Sequence, residues 1–548
     1  MRLFSSFLST LSITGILVGL LLFCASLTPS LLPRVPLVQG ALAGVAFGVG
    51  YGIGTMALSV WRFFEVPVLT GSWRRGVSVA ALGLGASVAA TTLARMSEWQ
   101  NSIHTLMEMP PVDSGYPFTV LGVALLTGVI LLIIIRGILR LGQVVSAWVN
   151  RILPRRISIG LGSVLVAVLL GSLFDGLVLR RTLVFLDQTF AEVDRMTDAG
   201  VQAPPEFSDT DAVLRWADVG RNGKRFLTAG PSRADIEGFT GRAARQPIRV
   251  YSGLNTTEDL QERAAATVAE LKRQGGFERS VLVVASPTGT GWLDPGAMQP
   301  LPYLHGGDLA IVSMQYSYLP SWLTLIVDPG RSARASRALF REVFSHWKTL
   351  PKDQRPRLYL FGLSLGALGS EASSDLVELL ADPIDGAFWA GPPFASSGWP
   401  RLTRNREAGS PEWRPLYRDG SMVRFMTQDG FADASFADWG PLRVVYLQHA
   451  SDPMSFFSAN LAFTRPDWLG PNRGRDVSPY FRWFPVVSFL QVGFDIPMAT
   501  SVSQGYGHNF TPAEYIDGWI AVTEPKNWTK DDTARLKEMF ADFSGAPI

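Results

Sequence analysis

Five long apolar stretches crowd the first third of the chain: Leu3 to Leu27, Leu37 to Trp61, Val77 to Leu93, Phe118 to Ile135 and Ile157 to Leu179. Most approach the roughly 20 residues a helix needs to cross about 30 Å of hydrocarbon. The pattern therefore predicts a helical transmembrane domain over residues 1–181 with about five spans. A cleaved secretory signal would explain the first stretch alone, and four further spans argue against it. Residues 182–246 are amphipathic at first, then rich in Pro and Asp around Ala203 to Asp211, and read as a connecting region.

From residue 247 the periodicity changes. Short apolar runs at Pro247 to Leu254, Ser280 to Ala285, Leu309 to Met314, Arg357 to Phe361, Gly386 to Ala390 and Leu442 to Leu447 read as strands. Between and after them, Thr257 to Gln274, Arg331 to Trp347, Ala367 to Leu380 and Thr511 to Val522 carry helical spacing. Strands that are apolar throughout and alternate with helices predict an α/β domain over 247–548, with a mostly parallel sheet covered on both faces.

Charge separates the two parts. Up to Arg181 there are 13 Arg or Lys against 5 Asp or Glu, leaving 36 against 42 for the remainder, so the overall +2 conceals a basic and an acidic half. Arg62, Arg74 and Arg75 lie between the second and third spans, and Arg136, Arg140, Arg151, Arg155 and Arg156 between the fourth and fifth. Alternate loops carry only Arg34 and Arg95, so the positive-inside bias places the N-terminus in the cytoplasm and everything after the fifth span outside. Gly44, Gly48, Gly50, Gly52 and Gly54 follow no strand and precede no lysine, which makes them a helix-packing stripe rather than a phosphate loop. The single cysteine, Cys24, excludes an intrachain disulfide.

Candidate chemistry centres on Gly362-Leu363-Ser364-Leu365-Gly366, between a predicted strand and a predicted helix. A serine flanked by glycines at that junction is the sequence form of a nucleophile elbow, where strand and helix approach too closely for a Cβ two residues either side. A serine hydroxyl needs a base and an orienting acid, expected after it in the order acid, then histidine. Only His449 and His508 follow Ser364. His508, in Gly505-Tyr506-Gly507-His508-Asn509-Phe510, has the freer loop and is preferred over His449 at a strand end. Asp452 follows the most apolar late strand and is the expected acid. For the oxyanion, Leu365 would supply the N–H after the nucleophile, and Thr288 or Gly289 in the turn Ser286 to Trp292 the second donor.

With those motifs assembled, the elbow, the late Asp and the Gly-His loop resemble the α/β-hydrolase fold. Together with Ser26-Leu27-Thr28-Pro29-Ser30-Leu31-Leu32-Pro33-Arg34, Arg249 to Leu254 and Thr288 to Trp292, the chain is similar to a bacterial family of membrane-anchored α/β-hydrolases. The resemblance implies Ser364 as nucleophile, His508 as base and Asp452 as acid, in an integral protein of the cytoplasmic membrane. No His-Gly-Gly-Gly run follows the early strand, which leaves the second oxyanion donor open.

The expected activity is esterase- or lipase-like cleavage of an acyl ester. An acyltransferase using the same triad and a catalytically silent hydrolase-like membrane module are the alternatives. Two insertions are candidate lid material: one with Trp399, Arg401, Arg404, Arg406, Trp413, Arg414 and Arg418, the other with Phe456, Phe457, Trp468, Trp483, Phe484 and Phe489. Their mixture of aromatics and arginines suits a lipid-like ester with an anionic head group. The acidic second half with no basic stripe excludes nucleic acid as a partner. Scattered histidines and the absence of a dinucleotide fingerprint predict catalysis without metal or cofactor. Oligomeric state is left open.

Overall fold

The computed structural model describes residues 11–67, 71–150, 168, 185, 187, 189–190, 192–194, 201–207, 209–373, 382–431 and 435–543. Chain packing forms two compact units. One comprises Met1–Val184, Phe457–Pro471 and Arg475–Met498; the other comprises Phe185–Phe456, Asn472–Gly474 and Ala499–Ile548. The chain thus leaves the α/β unit after Phe456 and returns to it for good at Ala499, so most of the second lid candidate packs with the N-terminal helices.

In the first unit, three helices among the described residues are long and apolar enough to cross a membrane: Pro36–Phe63, Gly71–Leu106 and Pro117–Ile138. They carry the second, third and fourth predicted spans. The first falls on the shorter apolar helix Ile13–Ser26, and the fifth, Ile157 to Leu179, lies outside the described residues apart from Val168. Within the glycine stripe of Pro36–Phe63, Gly44 and Gly50 pack on two sides of the helix, whereas Gly52 is no packing position, since a Cβ there would meet nothing within 4 Å. A Cβ at Gly44 would stand 2.7 Å from Ala124 O, and one at Gly50 2.7 Å from Val18 O. Removing side chains there brings helix backbones together, which supplies dispersion contact where lipid gives no hydrophobic drive.

The helix Val487–Asp495 belongs to this unit through a buried polar knot. Arg34 Nε donates to Asp495 Oδ1 at 2.8 Å, with both side chains almost wholly buried. Ser30 Oγ donates to Asp495 Oδ2 at 2.6 Å, and Arg34 Nη1 donates to Gln39 Oε1 at 3.1 Å. Paired and hydrogen-bonded on several sides, these charges tolerate their burial.

The second unit is built on one sheet of seven strands: β1 (Ile248–Ser252), β2 (Val281–Ser286), β3 (Leu309–Met314), β4 (Arg357–Leu363), β5 (Gly386–Ala390), β6 (Val423–Met426) and β7 (Arg443–Leu447). Their order is β1-β3-β2-β4-β5-β7-β6, and every pairing is parallel. Six strands fall where the apolar runs predict them. β6 is an addition: at four residues, its Val423, Phe425 and Met426 are too short a signal to stand out, and it pairs beyond β7 at the sheet edge.

Every residue of β2 and β3 is buried, because both sheet faces are covered. The helices Leu260–Arg273 and Gly330–Trp347 pack against β1 to β3. Over β4 and β5, Phe361 stacks on Trp519 of the helix Pro512–Thr523 with ring centroids 5.3 Å apart, and Phe388 meets the same indole edge-on at 5.2 Å. Such aromatic pairs add about 1 kcal/mol each beyond the area they bury. Between β2 and β4 the onward connections run in opposite directions, β2 to β3 and β4 to β5. This is a topological switch point, and α/β sheets bind ligands outside the C-terminal strand ends at such points.

Candidate active site

Ser364 stands at that switch point, between β4 and the helix Leu365–Ser373. Its φ is +57°, a left-handed conformation that costs an L-residue of order 1 kcal/mol. Both flanking glycines are required by space. A Cβ at Gly362 would lie 2.2 Å from Gly366 O, and one at Gly366 would lie 2.2 Å from Ser286 O at the end of β2. The strained serine is held by its own backbone, its N–H donating to Ala390 O at the end of β5 at 2.9 Å. Its Oγ is buried and has no hydrogen-bond partner.

The next residue along β5's exit, Gly391, meets the imidazole of His508. A Cβ there would stand 2.3 Å from His508 Cε1 and 2.7 Å from Nδ1. Ser364 and His508 therefore lie against two consecutive residues, Ala390 and Gly391. His508 Nδ1 is 2.7 Å from Asp452 Oδ2, with the carboxylate fully buried. A carboxylate only accepts, so Nδ1 carries a proton, and in the neutral imidazole Nε2 is then the nitrogen with the lone pair. Nε2 is buried and has no partner. Asp452 is itself fixed, Oδ1 accepting from Met454 N at 2.8 Å, while Ser455 Oγ, which donates to Pro392 O at 2.8 Å, stands 3.3 Å from Oδ2.

The loop carrying His508 is clamped from the strand end that carries Asp452. Gly507 N–H donates to Ser451 Oγ at 2.9 Å, and His449 Nδ1 donates to Gly507 O at 2.9 Å. His449 Nε2 faces Glu514 Oε1 at 2.7 Å, while the other oxygen of Glu514 closes a capping box with Thr511 at the start of the Pro512–Thr523 helix. His449 is thereby committed on both ring nitrogens, which separates it from His508. The Thr-x-x-Glu capping signature was legible in Thr511 to Glu514; its second use, holding His449, was not.

Of the expected oxyanion donors, Leu365 is the first residue of its helix, a position whose N–H has no intrahelical acceptor. Thr288 and Gly289 are engaged elsewhere. Gly291, at φ +80°, folds the turn back so that Thr288 N–H donates to Trp292 O at 2.9 Å, and Gly289 N–H donates to Ser321 Oγ at 2.9 Å. Turn composition revealed the flexible glycines but not these acceptors. Among the described residues no cluster of three His, Cys, Asp or Glu side chains stands together as a metal site.

Residues 248–536 match the family model described as the alpha/beta-hydrolase family, and residues 27–231 match the model described as the N-terminus of an alpha/beta-hydrolase family. No curated protein and no solved structure matches the chain.

Proposed function

Because the chain belongs to the alpha/beta-hydrolase family, we propose that it is a membrane-anchored serine hydrolase cleaving an acyl ester, with Ser364 as nucleophile, His508 as base and Asp452 as acid. One observation carries this reading. The two buried side-chain atoms without partners at the switch point, Ser364 Oγ and His508 Nε2, are the two that proton transfer would join. His508 Nδ1, by contrast, is committed to Asp452.

In this mechanism His508 Nε2 takes the hydroxyl proton as Ser364 Oγ attacks the ester carbonyl. Asp452 stabilises the imidazolium and holds its tautomer, and the proton then passes to the leaving alcohol. Water, deprotonated by the same nitrogen, releases the acyl group and restores the serine. Leu365 N–H, without an intrahelical acceptor at the first position of its helix, is the oxyanion donor of this reading.

Two features support a lipid-like ester. Three helices among the described residues are long and apolar enough to cross a membrane, which supports association with one, and the segment between acid and base passes through the helical unit before returning at Ala499. The loop-charge bias supports a cytoplasmic N-terminus and an extracytoplasmic α/β unit.

The test is fluorophosphonate labelling of the detergent-solubilised full chain, followed by esters of graded acyl length. Wild type should label at Ser364 and turn over esters; Ser364→Ala should do neither, and Asp452→Asn should keep a residual rate about 10⁴-fold lower. Folded wild-type protein that neither labels nor hydrolyses any ester would refute the proposal.

A further inference from the structure

At the opposite end of the sheet from Ser364, the α/β unit contains a cleft of about 580 Å³, within the size range of small-molecule sites. Gln202, residues 204–207, Asp209, Leu227, Thr228 and residues 230–232 form one wall, and the N-terminal approaches to β1 and β2 the other. Arg249, Arg273 and Arg279 all line it. Arg249 is the second residue of β1 and Arg279 stands two residues before β2. Ser364 follows the C-terminal end of β4, which runs parallel to both strands through the sheet.

The three arginines are not equivalent. Arg273 is saturated, with Nη2 on Glu270 Oε1 at 2.6 Å and Nη1 on Asp209 Oδ2 at 2.9 Å. Arg279 Nη1 is buried without a hydrogen-bond partner. Its nearest carboxylate oxygen, Asp308 Oδ1 at 3.9 Å, is already bonded by Arg245 at 2.8 Å. Arg249 is emptier still: Nε and Nη2 are buried and unpartnered, and only Nη1 makes a long contact, 3.5 Å, with Phe226 O. Among the described residues no carboxylate pairs with it. Its guanidinium lies over the Phe226 ring at 5.6 Å and occupies the space a side chain at position 230 would need, since a Cβ at Gly230 would stand 1.1 Å from Nη1.

Nε–H and Nη2–H of one guanidinium point the same way and form the side-on fork that grips two oxygens of an oxyanion. An arginine with a purely structural role would turn that fork to a backbone carbonyl or a carboxylate; here it is the weaker-placed Nη1 that finds the carbonyl. Burial pushes the Arg249 pKa down to about 10, so the group stays charged at neutral pH while its counter-charge is missing.

We propose that this cleft is a second binding site, separate from the one at Ser364, and that it takes a phosphate monoester. Arg249 grips two phosphoryl oxygens through its fork and Arg279 reaches a third, which a two-oxygen carboxylate does not offer. The remaining volume accommodates the organic part. Because the wall opposite the strands is the connecting region, an occupied site ties that region to the sheet.

Binding is measured calorimetrically on the full chain in detergent, with glycerol 3-phosphate and inorganic phosphate as ligands and acetate as control. Bicelles doped with phosphatidic acid, against phosphatidylcholine alone, provide the lipid arm. Wild type should bind glycerol 3-phosphate saturably with Kd below about 1 mM. Arg249→Lys, which keeps the charge but loses the fork, should weaken binding at least about tenfold, and Arg279→Gln should weaken it less. Ser364→Ala should bind as wild type does. Equal gain from phosphatidic acid bicelles assigns the source to a lipid head group; binding of the soluble ester alone assigns it to a metabolite, and either supports the site. The proposal is overturned if wild type binds none of the phosphates, if Arg249→Lys binds as well as wild type, or if acetate binds equally. Arg249→Met adds a readout without ligand. Removing an orphan charge should raise the thermal midpoint, and a fall of several degrees would show that the charge is already satisfied within the protein.

Discussion

Replacing Gly391 by alanine tests the active-site geometry while leaving the chemical identity of Ser364, His508 and Asp452 unchanged. The added Cβ would stand 2.3 Å from His508 Cε1, 2.7 Å from Nδ1 and 3.0 Å from Phe510 Cε2, whereas ordinary contact begins at 3.4 Å. The imidazole must therefore retreat by about 1.1 Å, away from the Ala390–Gly391 backbone that Ser364 also abuts. A displacement of about 1 Å in a catalytic group costs on the order of 10²-fold in rate. The φ of +51° at Gly391 adds an independent stability cost of about 1 kcal/mol for an L-residue. Folding should survive with a midpoint only a few degrees lower. The assay compares the second-order rate of fluorophosphonate labelling, and kcat/KM on a reactive ester, for wild type and Gly391→Ala. Both rates should fall about 10²-fold together, because both need His508 Nε2 beside Ser364 Oγ. A folded Gly391→Ala protein that labels and turns over at the wild-type rate would show that His508 is not the base at this position.

Two further predictions concern stability. In the helical unit, Arg34→Met alone should destabilise by about 3–5 kcal/mol by leaving the buried Asp495 carboxylate unpaired. The double variant Arg34→Met/Asp495→Leu should recover most of that loss, and thermal midpoints that simply add would disprove the coupling. In the α/β unit, burial raises the Asp294 pKa from 3.8 to about 7, against the bonds it accepts from Gly296 N and Tyr515 Oη. The folded state then keeps a proton that the unfolded chain loses, so stability from this group is full below pH 3.8 and declines as pH rises to about 7. Its total effect is at most about 4 kcal/mol. Asp294→Asn should flatten that decline, and an unchanged difference in midpoint between pH 5 and pH 8 would contradict the assignment.

The sequence by itself determined the division into an apolar helical part and an α/β part, because burial and membrane insertion both act on local composition. Runs such as Leu309 to Met314 are apolar at every position, as strands covered on both faces must be, and the glycines either side of Ser364 record a clash only two residues away. Loop freedom against a strand end set His508 apart from His449 in the sequence, and in the structure both ring nitrogens of His449 have partners while His508 Nε2 has none. Tertiary structure alone decided three things. It engaged Thr288 and Gly289 N–H groups with Trp292 O and Ser321 Oγ, acceptors that lie outside the turn's glycine pattern. It put most of the chain between Asp452 and His508 in the helical unit, through a knot in which Arg34 and Asp495 are 461 positions apart. It also left the Arg249 fork buried without an acceptor. Each of these depends on which distant atom occupies the last few ångströms beside a polar group, a quantity that a linear pattern of apolar and polar residues does not carry.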